Sequence, residues 1–446
     1  MAPKELEGAK QCNLKPQTKA GFRGYPTDRD HPLKSPMKWI NGKRIDDDIG
    51  PYWRIHDKLY DVTKFINRHP GGRAWLELTK GTDITEAFES AHVTEKASSL
   101  LSNFYVREAD VPRNSPYTFH ENGFFKTFKR KVRPILQKVG TGPTLKMLMI
   151  QDGLMLIFCL LGLYAASKHC YYAAIAAGIA LAMTAMCAHN FFHQKDNFRM
   201  NYFDLTLLSS HEWRISHALS HHLFTNSIYD IEISQLEPYW EYLPKPNKTF
   251  LQRYGCIVYE QIFMPTVLFL EAIKKILFLF TGEAKFRIQN LFPYFELFVM
   301  MMVAPSLGAG LKTWAVIHSA CSFWFSGVGI IVAHHHPDIY REGDKFRDED
   351  PDWGLCQLDA VRDRAEITGN LFLVATTFGD HTLHHLLPTV DHSKLHYCYD
   401  ALFATCKEFD IPFHFVSQWE LFKGKYLCLA SNKPNMNPPG FKRKTE

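Results

Sequence analysis

The sequence predicts two folded parts in series: a small α+β module, then an all-α membrane domain with four transmembrane helices and a histidine-rich cap on the cytoplasmic side. The first observation is uneven polarity. Hydrophobic residues make up 46% of the 446 residues, yet the long apolar runs lie between Met147 and Ala333, after a largely polar amino-terminal part. The second is a set of histidine clusters that flank these runs. This length accommodates two or three domains, and the formal net charge of +5 is too mild to favour nucleic-acid binding.

The ends of the chain and its connections are polar. Residues 1–51 are rich in Lys, Pro, Gly and Asp without a sustained apolar period, so we expect an extension with little regular structure. Short alternating runs and turns over 52–112 predict the compact module. A linker with a basic juxtamembrane segment (113–140) leads to the membrane domain (141–425), and 426–446 form a polar tail. The absence of a secretory signal and of any CxxC pair predicts a cytosolic amino terminus.

Four apolar runs are each about as long as the roughly 20 residues that cross the hydrocarbon core of a bilayer. They pair into two helical hairpins, because only Lys168 and His169 separate the first two runs and only Lys312 separates the last two. The four runs are 147–167, 170–188, 291–311 and 313–333. A further apolar run, 255–280, contains two glutamates and two lysines. Charged side chains have a high free energy at the bilayer centre, so we interpret this run as interfacial or re-entrant.

The charge distribution orients the membrane domain. The segment FFKTFKRKVRP (124–134) places five Lys or Arg residues just before the first span, and such residues remain on the cytoplasmic side. Both termini are therefore predicted to be cytoplasmic. Because two hairpins return the chain to the side it left, the histidine clusters are expected to face this same side.

A haem-binding pattern lies within the amino-terminal module. Pro70 ends the preceding helix, and Gly71 and Gly72 allow a tight turn beside a flat ligand, so that His69 is presented from a loop. His92 follows 23 residues later, which leaves room for a helix pair that carries it to the opposite face. Residues 52–110 resemble the cytochrome b5 haem-binding domain. The resemblance implies haem b with His69 and His92 as its axial ligands, and hence an electron carrier.

Three histidine boxes read HNFFH, HALSHH and HTLHH. Residues four apart lie on one face of a helix, so each box directs two or three imidazoles to one point. Eight imidazoles exceed a single zinc site and fit two metal ions with about four ligands each. Imidazole suits iron, zinc and copper alike, but a module that supplies single electrons favours two redox-active irons. The eight side chains are His189, His193, His217, His221, His222, His381, His384 and His385.

Taken together, residues 52–400 resemble the membrane-bound fatty acid desaturase and hydroxylase superfamily, specifically the members with a fused cytochrome b5 domain, among which the insect-type cytochrome b5-related proteins are the nearest branch. The resemblance implies a desaturase of the endoplasmic reticulum membrane. Its haem would pass electrons singly to a di-iron centre, O2 would be the co-substrate, and the substrate would be a membrane lipid or an acyl-CoA. An external NADH-cytochrome b5 reductase is implied as well, because the sequence contains no convincing dinucleotide-binding fingerprint.

Several alternatives remain open at this point. A lipid hydroxylase would use the same scaffold, and a non-catalytic haem- or lipid-binding membrane protein would carry relict boxes. Front-end acyl desaturases usually have Gln where this chain has His381, which argues against front-end chemistry. The resemblance also implies one further metal ligand from AHHHPD (333–338), for which we predict His335; the alternative is a polar cap on the helix end. The other nearby histidines, His211, His392 and His396, are expected to have supporting or structural roles.

Overall fold

The computed structural model describes residues 18–330 and 333–439. Its amino-terminal module is built on a three-stranded antiparallel sheet of order β1-β2-β3, in which Trp53 pairs with Tyr60 and Leu59 pairs with Arg107. Short helices pack on this sheet, and Trp53 is fully buried between them. The α+β character of the module is thereby confirmed. Its elements are β1 (Trp53–Ile55), β2 (Lys58–Tyr60), α2 (Arg73–Thr79), α3 (Thr85–Ala91), α4 (Lys96–Leu100) and β3 (Tyr105–Glu108), with 3-10 turns at Thr63–Arg68 and Leu101–Phe104.

The described part of the amino-terminal extension contains a regular helix, contrary to our expectation for residues 1–51. Helix α1 (Pro36–Asp47) begins at the N-cap Ser35, whose hydroxyl accepts a hydrogen bond from the backbone N–H of Lys38, and Pro36 occupies the first turn, where its missing N–H costs nothing. Phe22 and Ile40 of this extension are almost fully buried. No apolar period marks this helix in the sequence, because tertiary contacts stabilise it instead.

Helix α1 touches both parts of the protein. The Arg44 guanidinium donates to the carbonyls of Leu78 at 2.7 Å and Lys80 at 2.9 Å in the module. On the other side, the Trp39 indole N–H donates to the carbonyl of Tyr229, which lies in the helical domain, at 2.9 Å. The extension is therefore an arm (residues 18–50) that ties the module to the helical domain.

The basic segment before the first span forms helix α5 (Phe124–Val139), and its charges are paired with acidic side chains. Lys126 and Lys129 both contact the carboxylate of Glu89, at 2.8 and 3.0 Å. Arg133 forms an ion pair with Glu95 of the module. The same helix buries three phenylalanines in a core cluster that includes residues of the helical domain, so α5 is a second connection between the two parts; the residues are Phe124, Phe125 and Phe128.

Two helices are long and apolar enough to cross a membrane: α6 (Leu145–Lys168) and α7 (Tyr171–Phe192). The second predicted hairpin is present as α13 (Phe292–Val303) and α14 (Leu307–Trp324), followed by a π-helical turn at Phe325–Ile330. Within residues 18–330 and 333–439, only the first pair satisfies length and composition together. Two of the four predicted spans are thus supported, and residues 331–332 at the end of the last one lie outside the described residues.

The two hairpins pack closely. A Cβ atom on Gly178 of α7 would lie 2.3 Å from the carbonyl oxygen of Ile317 in α14, so only glycine allows this approach. The run 255–280 forms α11 (Cys256–Phe263) and α12 (Val267–Phe280). Its charged side chains have partners: Glu260 lies 2.8 Å from Lys425, Glu271 pairs with Lys274, and Lys275 donates to the carbonyl of Leu207.

The remaining helices of the described residues are short. They are α8 (Ser210–Trp213), α9 (His222–Phe224), α10 (Ile231–Ser234), α15 (Trp353–Asp359), α16 (Leu371–Thr376), α17 (His381–Leu386), α18 (His392–Leu395), α19 (Tyr399–Glu408) and α20 (Gln418–Ala430). Two π-helical segments and four 3-10 turns connect them, at Arg214–His221, Leu251–Gly255, Phe198–Thr206, Met264–Thr266, Ile288–Leu291 and His396–Cys398. The predicted polar tail begins inside α20, and residues 440–446 lie outside the described residues.

Candidate functional site

The two histidines predicted to hold haem face each other in the module. Their ring centroids are 6.2 Å apart. The Nδ1 atom of His69 lies 2.9 Å from the carbonyl oxygen of Gly72, and Nδ1 of His92 lies 2.9 Å from the carbonyl oxygen of Phe88. Because a carbonyl only accepts, each Nδ1 carries the proton and each Nε2 keeps its lone pair for a metal. The pair therefore fits a haem iron bound between two imidazoles.

The local backbone explains the HPGG pattern. Gly72 has a positive φ of 106°, a backbone conformation that residues other than glycine rarely adopt. A Cβ atom on Gly71 would lie 3.0 Å from the His69 ring. An apolar cluster of the module reaches the two histidines, since the ring of Phe65 contacts His69 and that of Phe88 contacts His92; its members include Phe65, Leu76, Ile84 and Phe88.

A first group of five buried imidazoles converges where α7 ends, with ligand atoms within 4.8 Å of one another. The first box ends α7, the second lies on the π-helical segment and α9, and the third on α17. The Asp363 carboxylate fixes the start of α17 by accepting the backbone N–H of His381 at 2.6 Å and that of Thr382 at 3.2 Å. The group is His189, His193, His217, His222 and His384.

The nitrogen separations in this group indicate a shared cation. Nε2 of His189 lies 2.8 Å from that of His217, 3.0 Å from that of His193 and 3.1 Å from that of His384. A neutral imidazole has a single N–H, so it cannot donate to three rings. Two nitrogens bound at about 2.1 Å to one ion lie about 3.0 Å apart at a right angle and about 3.4 Å apart at a tetrahedral angle. Separations of 2.8 to 3.1 Å therefore match ring nitrogens that share one metal ion.

A second group of four buried imidazoles adjoins the first. Nε2 of His334 lies 2.7 Å from that of His381 and 3.0 Å from that of His221. The rings of His222 and His385 stack at 4.1 Å between the two groups. The members are His221, His334, His381 and His385.

The ninth imidazole is His334 and not the predicted His335. His335 belongs to neither group: its ring stacks on Tyr242 with 3.8 Å between centroids and lines the cavity beside the second group. Both histidines directly follow the last predicted span, and the local sequence does not determine which of the two side chains points toward the other metal-binding histidines. The direction is set where the Nδ1 of His334 donates to the carbonyl of Ala360 at 3.0 Å, which leaves Nε2 facing the group.

Acidic and amide side chains orient the ligands from outside. The Glu232 carboxylate lies 2.7 Å from Nδ1 of His217, and the Asp230 carboxylate lies 2.9 Å from Nδ1 of His221. The Gln357 side-chain oxygen lies 3.0 Å from Nδ1 of His385. The sequence analysis did not identify these three residues. Asp230 and Glu232 could have been suspected, because they are the two acidic residues of YDIEIS, soon after the second box. Partners of this kind fix the tautomer and raise the basicity of a ligand.

The electrostatics of His221 reflect these carboxylates. Burial opposes protonation of the ring, but Asp230 and Glu232 outweigh it and raise the pKa of His221 to about 9. The same residue keeps Nε2 within 3.0 Å of His334. The same carboxylates would stabilise a metal cation bound at Nε2 in place of that proton.

The three histidines with expected supporting roles have different surroundings. His392 is buried with its ring centroid 4.5 Å from that of His384. His211 lies away from both groups, with Nε2 2.8 Å from Arg287, and burial lowers its pKa to about 4. His396 is partly exposed and stacks on Tyr397 at 3.9 Å.

A cavity of about 70 Å³ opens beside the second group. His221, His334 and His381 form one wall. The others are largely apolar and come from the helix ends and the loop after the second box, including Trp213, Ile233, Leu236 and Phe378. An apolar ligand in this cavity would lie against the metal-binding side chains.

The comparisons with known proteins match both parts of the chain. The family described as "Fatty acid desaturase" matches residues 167–417. The chain belongs to the fatty acid desaturase family. The family described as "Cytochrome b5-like Heme/Steroid binding domain" matches residues 40–110, so the desaturase domain follows a fused cytochrome b5-like domain. The similarity to known desaturases supports the assignment of this chain as an oxidoreductase of lipid metabolism.

Relatives of this desaturase extend over most of its length. A cytochrome b5-related protein of Drosophila melanogaster is 38% identical over 426 residues, which cover 93% of this chain and 96% of that protein. An acyl-lipid (8-3)-desaturase of Mortierella alpina is 23% identical over 80% of this chain and 88% of that protein. A probable Delta(5) fatty acid desaturase C of Dictyostelium discoideum is 22% identical over 82% of this chain and 88% of that protein. No solved structure matches the chain.

Proposed function

We propose that the protein is an O2-dependent lipid acyl-chain desaturase that binds haem b through His69 and His92 and two irons through the two histidine groups. The observation that carries the proposal is the convergence of nine buried imidazoles beside a largely apolar cavity, in a chain that also contains a cytochrome b5-like domain. In the overall reaction the acyl chain loses two hydrogens from adjacent carbons. O2 takes them up with two electrons and two protons and becomes two waters.

The chain's own residues prepare the metal site. Glu232 and Asp230 accept the Nδ1 protons of His217 and His221, and Ala360 accepts that of His334, so the Nε2 lone pairs point inward. When bound, the irons supply the oxidising power that removal of hydrogen from an unactivated C–H bond requires. Burial of every ligand excludes bulk water from the site.

The substrate is a membrane lipid or an acyl-CoA whose chain enters the cavity beside His334 and His381. Trp213 and Phe378 provide flat apolar walls there, and the walls restrict which carbons approach the second group. His381, which stands where front-end acyl desaturases usually have Gln, belongs to that group and favours chemistry other than front-end desaturation.

The membrane arrangement completes the proposal. The α13–α14 hairpin packs against α7 through Gly178 and supplies the second pair of spans. The protein is placed in the endoplasmic reticulum membrane with both termini and the histidine groups on the cytoplasmic side. There an NADH-cytochrome b5 reductase reduces the haem from outside the chain.

Product analysis tests the proposed reaction. The full chain is expressed in a host of defined lipid composition, and the lipids are compared by mass spectrometry with those of a host that expresses His384→Ala. We expect a lipid that has lost two hydrogens, only with the unaltered chain. A lipid that has gained one oxygen would replace desaturation by hydroxylation, and unchanged lipids with every supplied substrate would refute both.

A matched control separates loss of metal from loss of fold. His211 lies outside both groups and contacts Arg287. The variant His211→Ala should give the same product as the unaltered chain, whereas His384→Ala should give none. Equal loss of product in the two variants would point to general damage rather than to the metal site.

A further inference from the structure

The cytochrome b5-like domain meets the desaturase domain at a tryptophan. Trp75 lies on α2, three residues after the HPGG turn that presents His69. Its ring is half-buried and lies under the guanidinium of Arg214, whose central carbon is 4.9 Å from the ring centroid. Such a contact between a cation and an aromatic face is favourable, more so away from water. Trp75 therefore links the haem-binding loop to the second histidine box, since Arg214 precedes His217 on the same π-helical segment.

Arg214 is held so that its flat face is available to this ring. It is almost fully buried, and its Nε donates to the carbonyl of Phe192 at 2.8 Å. One terminal nitrogen donates to the carbonyl of Gln194 at 3.0 Å, and the other forms an ion pair with Asp196. All three partners lie at or just after the first box. The edge of the guanidinium is thus fixed by the desaturase domain, and only its face contacts the haem-binding domain.

A short series of contacts continues from Arg214 to the first group. The ring of Phe192, whose carbonyl binds Arg214, stacks on His193 at 5.1 Å and lies edge-on to His189 at 5.2 Å. Arg214 itself is three positions before His217, another member of the group. Beyond the half-buried Trp75, the side chains in this series are therefore all buried.

The haem-binding domain is held at this boundary by other contacts too. The backbone beside Gly72 approaches Lys195 and Asp196, and a Cβ atom on this glycine would lie 3.7 Å from the Asp196 nitrogen. The Thr389 hydroxyl donates to the carbonyl of Ala91, next to His92, at 3.1 Å. On the α5 side, Arg133 donates to the carbonyl of Val93 at 3.1 Å. The domain thus has a fixed orientation, and Trp75 contacts the desaturase domain between the two metal-binding regions.

We propose that the contact between Trp75 and Arg214 positions the haem against the histidine groups and forms the route by which electrons pass from one to the other. The inference rests on the proposed function. In each transfer the ferrous haem loses one electron and becomes ferric, and the metal site gains that electron. An NADH-dependent reductase then returns the haem to the ferrous state. Trp75 is in this sense a positioning residue, since it touches neither O2 nor the acyl chain.

The test follows the haem rather than the product. Full-length protein in lipid nanodiscs is reduced with NADH and reductase without oxygen, then mixed with O2, and haem oxidation is followed by its absorption band. We expect Trp75→Leu to slow haem oxidation by about 10- to 100-fold, since a misplacement of about 1 Å can cost a reaction about a hundredfold in rate. Trp75→Phe keeps an aromatic face and should largely restore the rate. Haem content and the rate of reduction by NADH should stay unchanged in both variants.

Two control variants are measured in the same haem-oxidation experiment. His384→Ala gives the rate of haem oxidation without an intact metal site; if the unaltered protein is no faster, the proposed function and this inference both fail. Arg133→Ala removes a different contact across the same boundary and should leave the rate unchanged. A normal rate in Trp75→Leu would overturn the inference alone, as would equal slowing in Arg133→Ala, which would reduce Trp75 to one docking contact among several.

Discussion

The haem site and the histidine groups differ in how their residues are distributed along the chain. His69 and His92 lie in one short segment, and each donates its Nδ1 proton to a carbonyl three or four residues away. The nine imidazoles come from four separated segments, and their Nδ1 partners include Glu232, Gln357 and Ala360. A site built from local contacts can be predicted from spacing, whereas a site built across the chain needs the packing of several helices.

The largest expected effect tests whether the two sites are separable. His384→Ala should abolish turnover and leave the haem absorption spectrum intact, because His384 belongs only to the first group. His69→Ala should remove the haem band and leave bound iron in place. Spectroscopy and metal analysis of each purified variant measure both properties. Retention of full activity by His384→Ala would refute the assignment of the first group as a metal site.

A second prediction concerns the ninth imidazole. His334→Ala should lose metal from the second group, because the Nε2 of His334 lies 2.7 Å from that of His381. His335→Ala should keep its metal, since that ring stacks on Tyr242 instead. Metal analysis of the two neighbouring variants gives the comparison. Metal loss in His335→Ala alone would restore the ligand predicted from the sequence.

A third prediction addresses the carboxylates that accept Nδ1 protons in the histidine groups. In the haem site, backbone carbonyls accept the corresponding protons. Glu232→Gln should weaken metal binding by about 10- to 100-fold, as is usual for loss of such a partner. The control is Glu271→Gln, because Glu271 pairs with Lys274 and contacts no metal ligand in the described part of the chain. Titration of the metal-depleted proteins with Fe²⁺ measures the change. Equal affinities for the Glu232 and Glu271 variants would contradict the role of Glu232.

The last prediction concerns the stability of the connection between the two sites rather than the chemistry of either. Burial opposes ionisation of Glu89, but His56, Lys129 and Lys126 outweigh it and hold the pKa of Glu89 well below its usual range. Glu89→Gln should lower the free energy of unfolding by about 3 kcal/mol at neutral pH, because it leaves buried lysines unpaired.

The pH dependence of that effect has a definite sign. A depressed carboxyl pKa stabilises the folded state above the unfolded value of 4.5 and loses this contribution as the pH falls through the folded pKa. The difference in thermal stability between the unaltered chain and Glu89→Gln should therefore shrink below about pH 4.5. A difference that stays constant as the pH falls would show that Glu89 does not act through its charge.

The parts of the structure that the sequence predicted are those encoded by local patterns. The HPGG turn, the spacing to His92 and the two long apolar runs each specify a conformation within a few tens of residues. The expectation of little regular structure in the amino-terminal extension was wrong for α1, because tertiary contacts of Phe22, Ile40 and Trp39 hold it in place. The basic charges of α5 suggested a membrane surface, and the structure pairs several of them with acids of the haem-binding domain.

By itself, the sequence determined which residue types are present in which local register: a histidine pair for haem, three boxes with ligands four residues apart, and apolar runs long enough for a bilayer. Only the tertiary structure decided that His334 rather than His335 completes the second group, and that Trp75 lies against Arg214. The physical reason is the distance along the chain over which each interaction acts. Helix periodicity and turn chemistry act over a few residues, whereas the direction of a side chain after a helix end depends on the distant carbonyl or ring against which it packs.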